Sequence, residues 1–208
     1  MRRVKNENVN FDDFFCRTCH PTADLTASET KTVSPGSEAK AVKAPGFTAV
    51  DYRGKEHTLA QYKGKAVVLE WINPDCPFVV RHYNEGTMKG LAERFKDQGL
   101  VWLAVNSTNY HDANKSKEWA DKYSLPYPIL VDKDGKIGRL YEAKTTPHMF
   151  AINRDGELIY NGAVDDDPNG KKDKREVYVL SAIQAALAGS LPARWETKPY
   201  GCSVKYAD

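Results

Sequence analysis

Cysteine is scarce in this chain, with four in 208 residues. So few thiols exclude a disulfide-dense scaffold, and each has to be read for its own position. Charge bias is missing too: 30 Lys and Arg stand against 28 Asp and Glu, for a formal net charge of +2. That balance excludes a broad electrostatic footprint for nucleic acid, and the densest charge run, residues 171–176, reads as a solvated loop. No stretch approaches the roughly 20 apolar residues of a membrane span. Nor does an apolar run follow the basic residues of Met1-Arg-Arg-Val-Lys5, as a secretory signal would require. The expectation at face value is a soluble, cytoplasmic chain without a signal peptide.

With 41% apolar residues the chain can bury one sizeable core. Residues 20–44 are rich in Thr, Ser, Ala, Lys and Glu around Pro35-Gly36 and carry no apolar period, so they read as a linker. The expected organisation is a polar, disordered tail over 1–43 and one domain over 44–208. In that domain, 47–50 and 57–59 flank a turn at Tyr52-Arg-Gly-Lys55 and read as an N-terminal hairpin. Ala66 to Ile72 reads as a central strand, and Met88, Leu91 and Phe95 mark a helix from about Pro77 to Asp97 that stops at Gly99. A strand over 101–105, a helix over 113–123 and a short strand over 129–131 follow. A hairpin turning at Asn153-Arg-Asp-Gly156 and a last helix carrying Leu180, Ile183 and Leu187 close the pattern. Strands alternating with helices, then a closing hairpin, argue an α/β fold with a mixed sheet.

Cys76, within Trp71-Ile-Asn-Pro-Asp-Cys-Pro-Phe-Val79, follows a strand pattern and precedes a helical one. Pro77 takes the first helical position, where proline is favoured. A sulfur placed there meets unpaired backbone N–H groups and the positive end of the helix dipole, both of which favour the reactive thiolate. The expectation is an uncovered, reactive sulfur; the alternative is a buried structural cysteine. Glu70 falls in a strand apolar on both faces, so its carboxyl is expected in the interior, with a raised pKa suited to proton transfer. A salt bridge to a lysine is the competing account. Trp71, Trp102 and Tyr127 read as packing rather than as a substrate cage.

The order strand, Cys-Pro at a helix start, strand, helix, Thr146-Pro147, hairpin and helix resembles the thioredoxin fold. More closely, Asn73-Pro-Asp-Cys-Pro-Phe78, Leu125-Pro-Tyr-Pro-Ile-Leu130, Thr146-Pro-His-Met149 and Thr197-Lys-Pro-Tyr-Gly-Cys-Ser-Val-Lys-Tyr206 resemble the peroxiredoxin-like redoxins. These belong to the alkyl hydroperoxide reductase and thiol-specific antioxidant group. The resemblance spans about residues 44 to 206. It implies a thioredoxin-like α/β fold, a mixed central sheet flanked by helices, with Cys76 as the attacking cysteine. The usual partner three residues on is replaced by Val79, so no local Cys-x-x-Cys disulfide can form. Glu70 matches the buried acid that passes protons, and Thr146-Pro147 matches the cis-proline loop facing the reactive sulfur; with Asn73 and Pro77, that loop is the expected substrate-binding wall.

The function this implies is a thiol–disulfide oxidoreductase, working with a thioredoxin-like electron donor or an oxidised thiol substrate and requiring no cofactor. Cys202 sits in a tail of about 15 residues beyond Gly189 that can span up to some 45 Å, and it reads as the resolving thiol. A free, idle thiol is the competing account. A thiol peroxidase of antioxidant type using the same Cys76 is the first alternative function, and a non-catalytic redoxin binding module the second. Peroxidases of the group carry Pro-x-x-x-Thr/Ser-x-x-Cys, where this chain has Leu69 and Asn73. The arginine expected beside such a sulfur is not placed by the sequence; Arg81 and Arg139 are the candidates.

Cys16-Arg-Thr-Cys19-His20 has the spacing of a c-type haem attachment motif. A zinc or redox pair fits the same residues, as does an unstructured accident or the remnant of a truncated upstream module. Some forty polar residues are too few to wrap a haem, so haem c or zinc stays a secondary option. A working haem motif, or a missing signal, would move the expected location to the periplasm. His57, His82, His111 and His148 show no ligand spacing, and Asp165-Asp-Asp167 reads as an acidic loop before Pro168 rather than a cation site.

Overall fold

We describe residues 41–207 of a computed structural model. The Cys16, Cys19 and His20 motif and most of the expected tail lie outside the described residues. The elements in chain order are β1 (Val42–Lys43), β2 (Thr48–Val50), β3 (Glu56–Thr58), β4 (Ala66–Trp71), α1 (Pro77–Asn84), α2 (Thr87–Phe95), β5 (Leu100–Asn106) and α3 (Ala113–Tyr123). They continue with β6 (Ile129–Val131), α4 (Lys136–Leu140), β7 (Thr145–Thr146), β8 (His148–Ile152), β9 (Glu157–Gly162), α5 (Tyr178–Ala188) and β10 (Cys202–Ser203).

Six strands form the central sheet in the order β1-β9-β8-β4-β5-β6. The sheet is mixed, as the sequence led us to expect: β4 runs parallel to β5 and antiparallel to β8, and β5 runs parallel to β6. β4 is buried along its whole length because both faces of the sheet are covered. Its alternate residues go to opposite cores. Val68 and Ile72 join a cluster with Cys76, Val79 and Tyr83, while Val67, Leu69 and Trp71 join one with Tyr141 and Phe150. Each of these buried aliphatic side chains contributes about 1.5–3 kcal/mol of transfer free energy. Glu70 breaks the apolar run, at 0% exposure between Ala104 of β5 and Met149 of β8.

Two expected segments differ, and α4, β7 and β10 were not anticipated. The helix anticipated over 77–97 is two helices, because Gly86 takes φ 69°, in the left-handed region, and ends the first run. Met88 and Phe95 nonetheless line the core from α2. Val42 and Lys43, expected in the linker, pair with Leu158 and Glu157 as an edge strand of the sheet. The hairpin turning at Asn153–Gly156 and the N-terminal hairpin of β2 and β3 form as anticipated.

Beyond α5 the chain runs back across the molecule with little regular structure. Thr197 is held by the Tyr160 hydroxyl at 2.7 Å and by the Ala163 N–H at 2.9 Å. Farther on, Val204 N–H donates to Lys144 O and the Tyr206 hydroxyl to Ala143 O. The Tyr206 ring needs glycine beneath it, since a Cβ at Gly138 would lie 2.4 Å from its hydroxyl oxygen. Between these anchors, β10 pairs antiparallel with β7.

Candidate active site

Cys76 is the N-cap residue of α1, with Pro77 at the first helical position. A tight turn sets it there: Asn73 Oδ1 accepts from the Asp75 N–H at 2.8 Å, and Asn73 O from the Cys76 N–H at 2.9 Å. Asp75 is braced from outside by His111 Nε2 at 2.9 Å. The backbone logic foreseen for the sulfur is therefore present. Its exposure is not.

Cys76 is only 1% exposed. The expectation of an uncovered sulfur fails because β7 and the C-terminal tail close over it. The Cys76 thiol donates to Thr146 O at 3.0 Å, and the Thr146–Pro147 peptide bond is cis. Across the β7/β10 ladder Thr146 faces Cys202 directly, and Cys202 packs against the cluster that holds Cys76, near enough for each thiol to shift the other's ionisation. Cys76, Thr146, Pro147 and Cys202 are thus brought together, with Pro77 beside them.

The cover is polar where it touches the sulfur, and this decides the electrostatics. Burial raises the Cys76 pKa, but the hydrogen bonds from Cys202 and Thr146, helped by the N–H groups of Val79 and Cys202, outweigh it and hold the thiol below its usual range. The sulfur makes no full capping bond to α1, so Val79 contributes attraction rather than a hydrogen bond. The bond to the Thr146 carbonyl belongs to the thiol form and is given up on ionisation. Cys202 moves the opposite way. Burial, then its hydrogen bond to Cys76 and the charge there, push it up to about 11.

Glu70 lies on the same side of the sheet as Cys76, among Trp102, Tyr83 and Tyr127. Among the described residues no lysine is paired with it; its partner is the Trp102 indole, whose Nε1–H donates to Oε2 at 2.8 Å. The Tyr83 hydroxyl pulls on the same carboxyl without completing a hydrogen bond, so Oε1 has no partner. Burial dominates and raises the Glu70 pKa to about 8, against the lowering by Trp102 and Tyr83. The carboxyl is protonated at neutral pH and able to release that proton in alkaline solution. Trp71, by contrast, faces the other core and donates to Ser107 Oγ at 3.0 Å.

Neither arginine candidate serves the sulfur. Arg81 donates to Asp167 O at 2.9 Å and to the Tyr200 hydroxyl at 3.2 Å, while Arg139 binds the backbone of Asp134 and Ala207. The cluster around Arg81, formed with His82, Asp165 and Tyr200, was missed by sequence reasoning. A signal was available: Val79, His82 and Tyr83 fall at i, i+3 and i+4 on the buried stripe of α1. Among the described residues no group of His, Cys, Asp and Glu is placed to hold a metal ion, and no helix is long and apolar enough to cross a membrane.

The sequence profile of the AhpC/TSA family matches residues 41–161. The chain belongs to that family. A thiol-disulfide oxidoreductase ResA of Bacillus thuringiensis subsp. konkukian is 31% identical over 121 residues, which make up 56% of this chain and 65% of that protein. The chain therefore spans just under two thirds of the curated relatives it matches. Among solved structures, a hypothetical protein of Sinorhizobium meliloti superposes with a TM-score of 0.73 at 26% identity, covering 83% of this chain and 97% of that one. A thiol:disulfide interchange protein of the thioredoxin family from Chlorobium tepidum superposes with a TM-score of 0.55 at 18% identity, over 73% of this chain and 99% of its own. That likeness concerns the fold alone, and the fold of this AhpC/TSA member is thioredoxin-like.

Proposed function

We propose that the chain is a thiol–disulfide oxidoreductase in which Cys76 is the nucleophile and Cys202 the resolving thiol. The observation that carries this reading is the convergence of both cysteines on Thr146, whose carbonyl accepts the Cys76 thiol at 3.0 Å and which faces Cys202 across the β7/β10 ladder. In the first step the Cys76 thiolate attacks one sulfur of a substrate disulfide; the other sulfur leaves and takes a proton. Cys202 then attacks Cys76, expelling the second substrate thiol and closing a Cys76–Cys202 disulfide. The substrate gains two electrons and the cysteine pair loses them.

The order of events is built into the charges. While Cys76 is a thiolate, its charge and hydrogen bond help keep Cys202 protonated. Once Cys76 is bound in a mixed disulfide that charge is gone, and Cys202 ionises more readily. Glu70, protonated at neutral pH, is the proton reservoir on the same side of the sheet. Thr146, Pro147, Asn73 and Pro77 form the wall against which the substrate sulfur would lie. Because Cys202 covers Cys76, an incoming disulfide has to displace the tail, which the two-residue strand β10 holds in place.

The reading calls for no bound cofactor, since the two sulfurs hold the electrons, and for a dithiol donor of thioredoxin type to restore them. A thiol peroxidase is less well supported. Asn73 spends its Oδ1 on shaping the loop, and among the described residues no arginine is hydrogen-bonded to Cys76. The test is peptide mapping of mildly oxidised protein by mass spectrometry. A Cys76–Cys202 link that dithiothreitol opens is expected; two free thiols after oxidation would overturn the resolving role.

A further inference from the structure

The ladder between β7 and β10 is not the only tie between the two cysteine segments. Tyr200, just before Gly201 and Cys202, lays its ring against α1, the helix that Cys76 caps; its centroid is 6.0 Å from Phe78 and 6.2 Å from His82. Its hydroxyl meets three groups at once: Asp165 Oδ1 at 2.5 Å, His82 Nε2 at 2.9 Å and Arg81 Nη2 at 3.2 Å. A hydroxyl has one proton to give, and the short contact assigns it to the Asp165 carboxylate. The other two groups must then donate, so the neutral His82 ring carries its hydrogen on Nε2. Burial, followed by the Arg81 charge, lowers the His82 pKa to about 4 and keeps the ring in that form.

We propose that Tyr200 is a positioning residue for thiol exchange, its hydroxyl fixing the tail on α1 so that Cys202 stays in contact with Cys76. The proposal rests on the pairing of those two cysteines under the proposed function. Three features make the link stiff. His82 is fully buried and Asp165 1% exposed, so a displaced hydroxyl would strand polar groups in the interior. His82 has the least to fall back on, because its Nδ1 has no hydrogen-bond partner among the described residues, whereas Asp165 keeps the Asp167 N–H at 3.0 Å and the Arg175 guanidinium at 3.4 Å. Finally, the step from Tyr200 to Cys202 passes through Gly201, which has φ 130° and lies hard against the Thr146 carbonyl. The hydroxyl position is thereby passed on to the sulfur with little slack. The arrangement raises the effective concentration of Cys202 at Cys76 without touching either sulfur.

Tyr200→Phe keeps the ring and removes the hydroxyl. Equilibrating the full chain with glutathione measures the effective concentration of Cys202, and this should fall by about tenfold, the weight of one hydrogen bond to charged partners. The ultraviolet absorbance of the Cys76 thiolate against pH is the second readout. Its midpoint should rise in Tyr200→Phe, but the same change made on a Cys202→Ser background should leave it where that background has it. A merely structural residue would not show this dependence on Cys202. An unchanged effective concentration, or an equal midpoint shift in both backgrounds, overturns the proposal. Should Tyr200→Phe fold poorly, His82→Leu removes one donor to the same hydroxyl and should lower the effective concentration in the same direction; no change there also overturns it. If the parent forms no Cys76–Cys202 disulfide at all, the proposed function falls, while the thiolate measurement still judges Tyr200 on its own.

Discussion

Gly201 and Thr146 approach so closely that a Cβ at position 201 would lie 2.0 Å from the Thr146 carbonyl oxygen, the same oxygen that accepts the Cys76 thiol. One backbone carbonyl thus sets the distance between the two cysteine-bearing segments, and only glycine allows it. Gly201→Ala is expected to push the tail away and to strain a backbone at φ 130°. The cost to stability should be roughly 1–3 kcal/mol. Closure of the Cys76–Cys202 disulfide should be lost while the sheet still unfolds cooperatively in urea. Normal closure in that variant would mean that the close approach is incidental.

Glu70 has a signed effect of pH on stability. Its folded pKa of about 8 lies above the 4.5 of an ordinary glutamate. Below 4.5 both states hold the proton and nothing is lost; as pH rises toward 8 the unfolded chain ionises while the folded one resists, so stability falls through that window and levels off above it. Glu70→Gln removes the penalty. It should be more stable than the parent at pH 9 by a few kcal/mol, much less so at pH 5, and slower in thiol exchange at both. Urea unfolding at the two pH values checks the first point; an advantage of the same size at both would contradict the titration.

Cys202→Ala should raise the pH at which Cys76 ionises, because the hydrogen bond from Cys202 is the largest of the influences favouring the thiolate. Ultraviolet titration of the variant and the parent decides it. A midpoint that falls on removal of Cys202 would show that the tail acts mainly by excluding water.

Peroxide is expected to be a poor oxidant of this site. The Asn73 side chain is committed to the loop, and Arg81 to Asp167 and Tyr200. Stopped-flow mixing with hydrogen peroxide should give a rate close to that of a free cysteine thiolate at the same ionisation. A rate far above it would favour the peroxidase reading.

Much of the sheet was legible because its signals are local. The run from Ala66 to Trp71, the turn at Asn153–Gly156 and the stops at Gly99 and Gly189 each announce themselves within a few residues. The interruption at Gly86 was not, since a glycine inside a helical period gives no notice of its φ. The burial of Cys76 could not be read either. It depends on a segment more than a hundred residues away folding back through Thr197, Tyr200 and Tyr206, none of which carries a periodic pattern. Cys202 could be nominated from its reach alone, but its pairing with Thr146 is a matter of tertiary register.

The bond from the Trp102 indole to Glu70 Oε2 puts a natural chromophore on a buried acid. Indole emission responds to a charge appearing beside the ring, so Trp102 fluorescence is positioned to report each gain or loss of that proton. Ionisation of Glu70 could then be followed by emission alone, without dye or label.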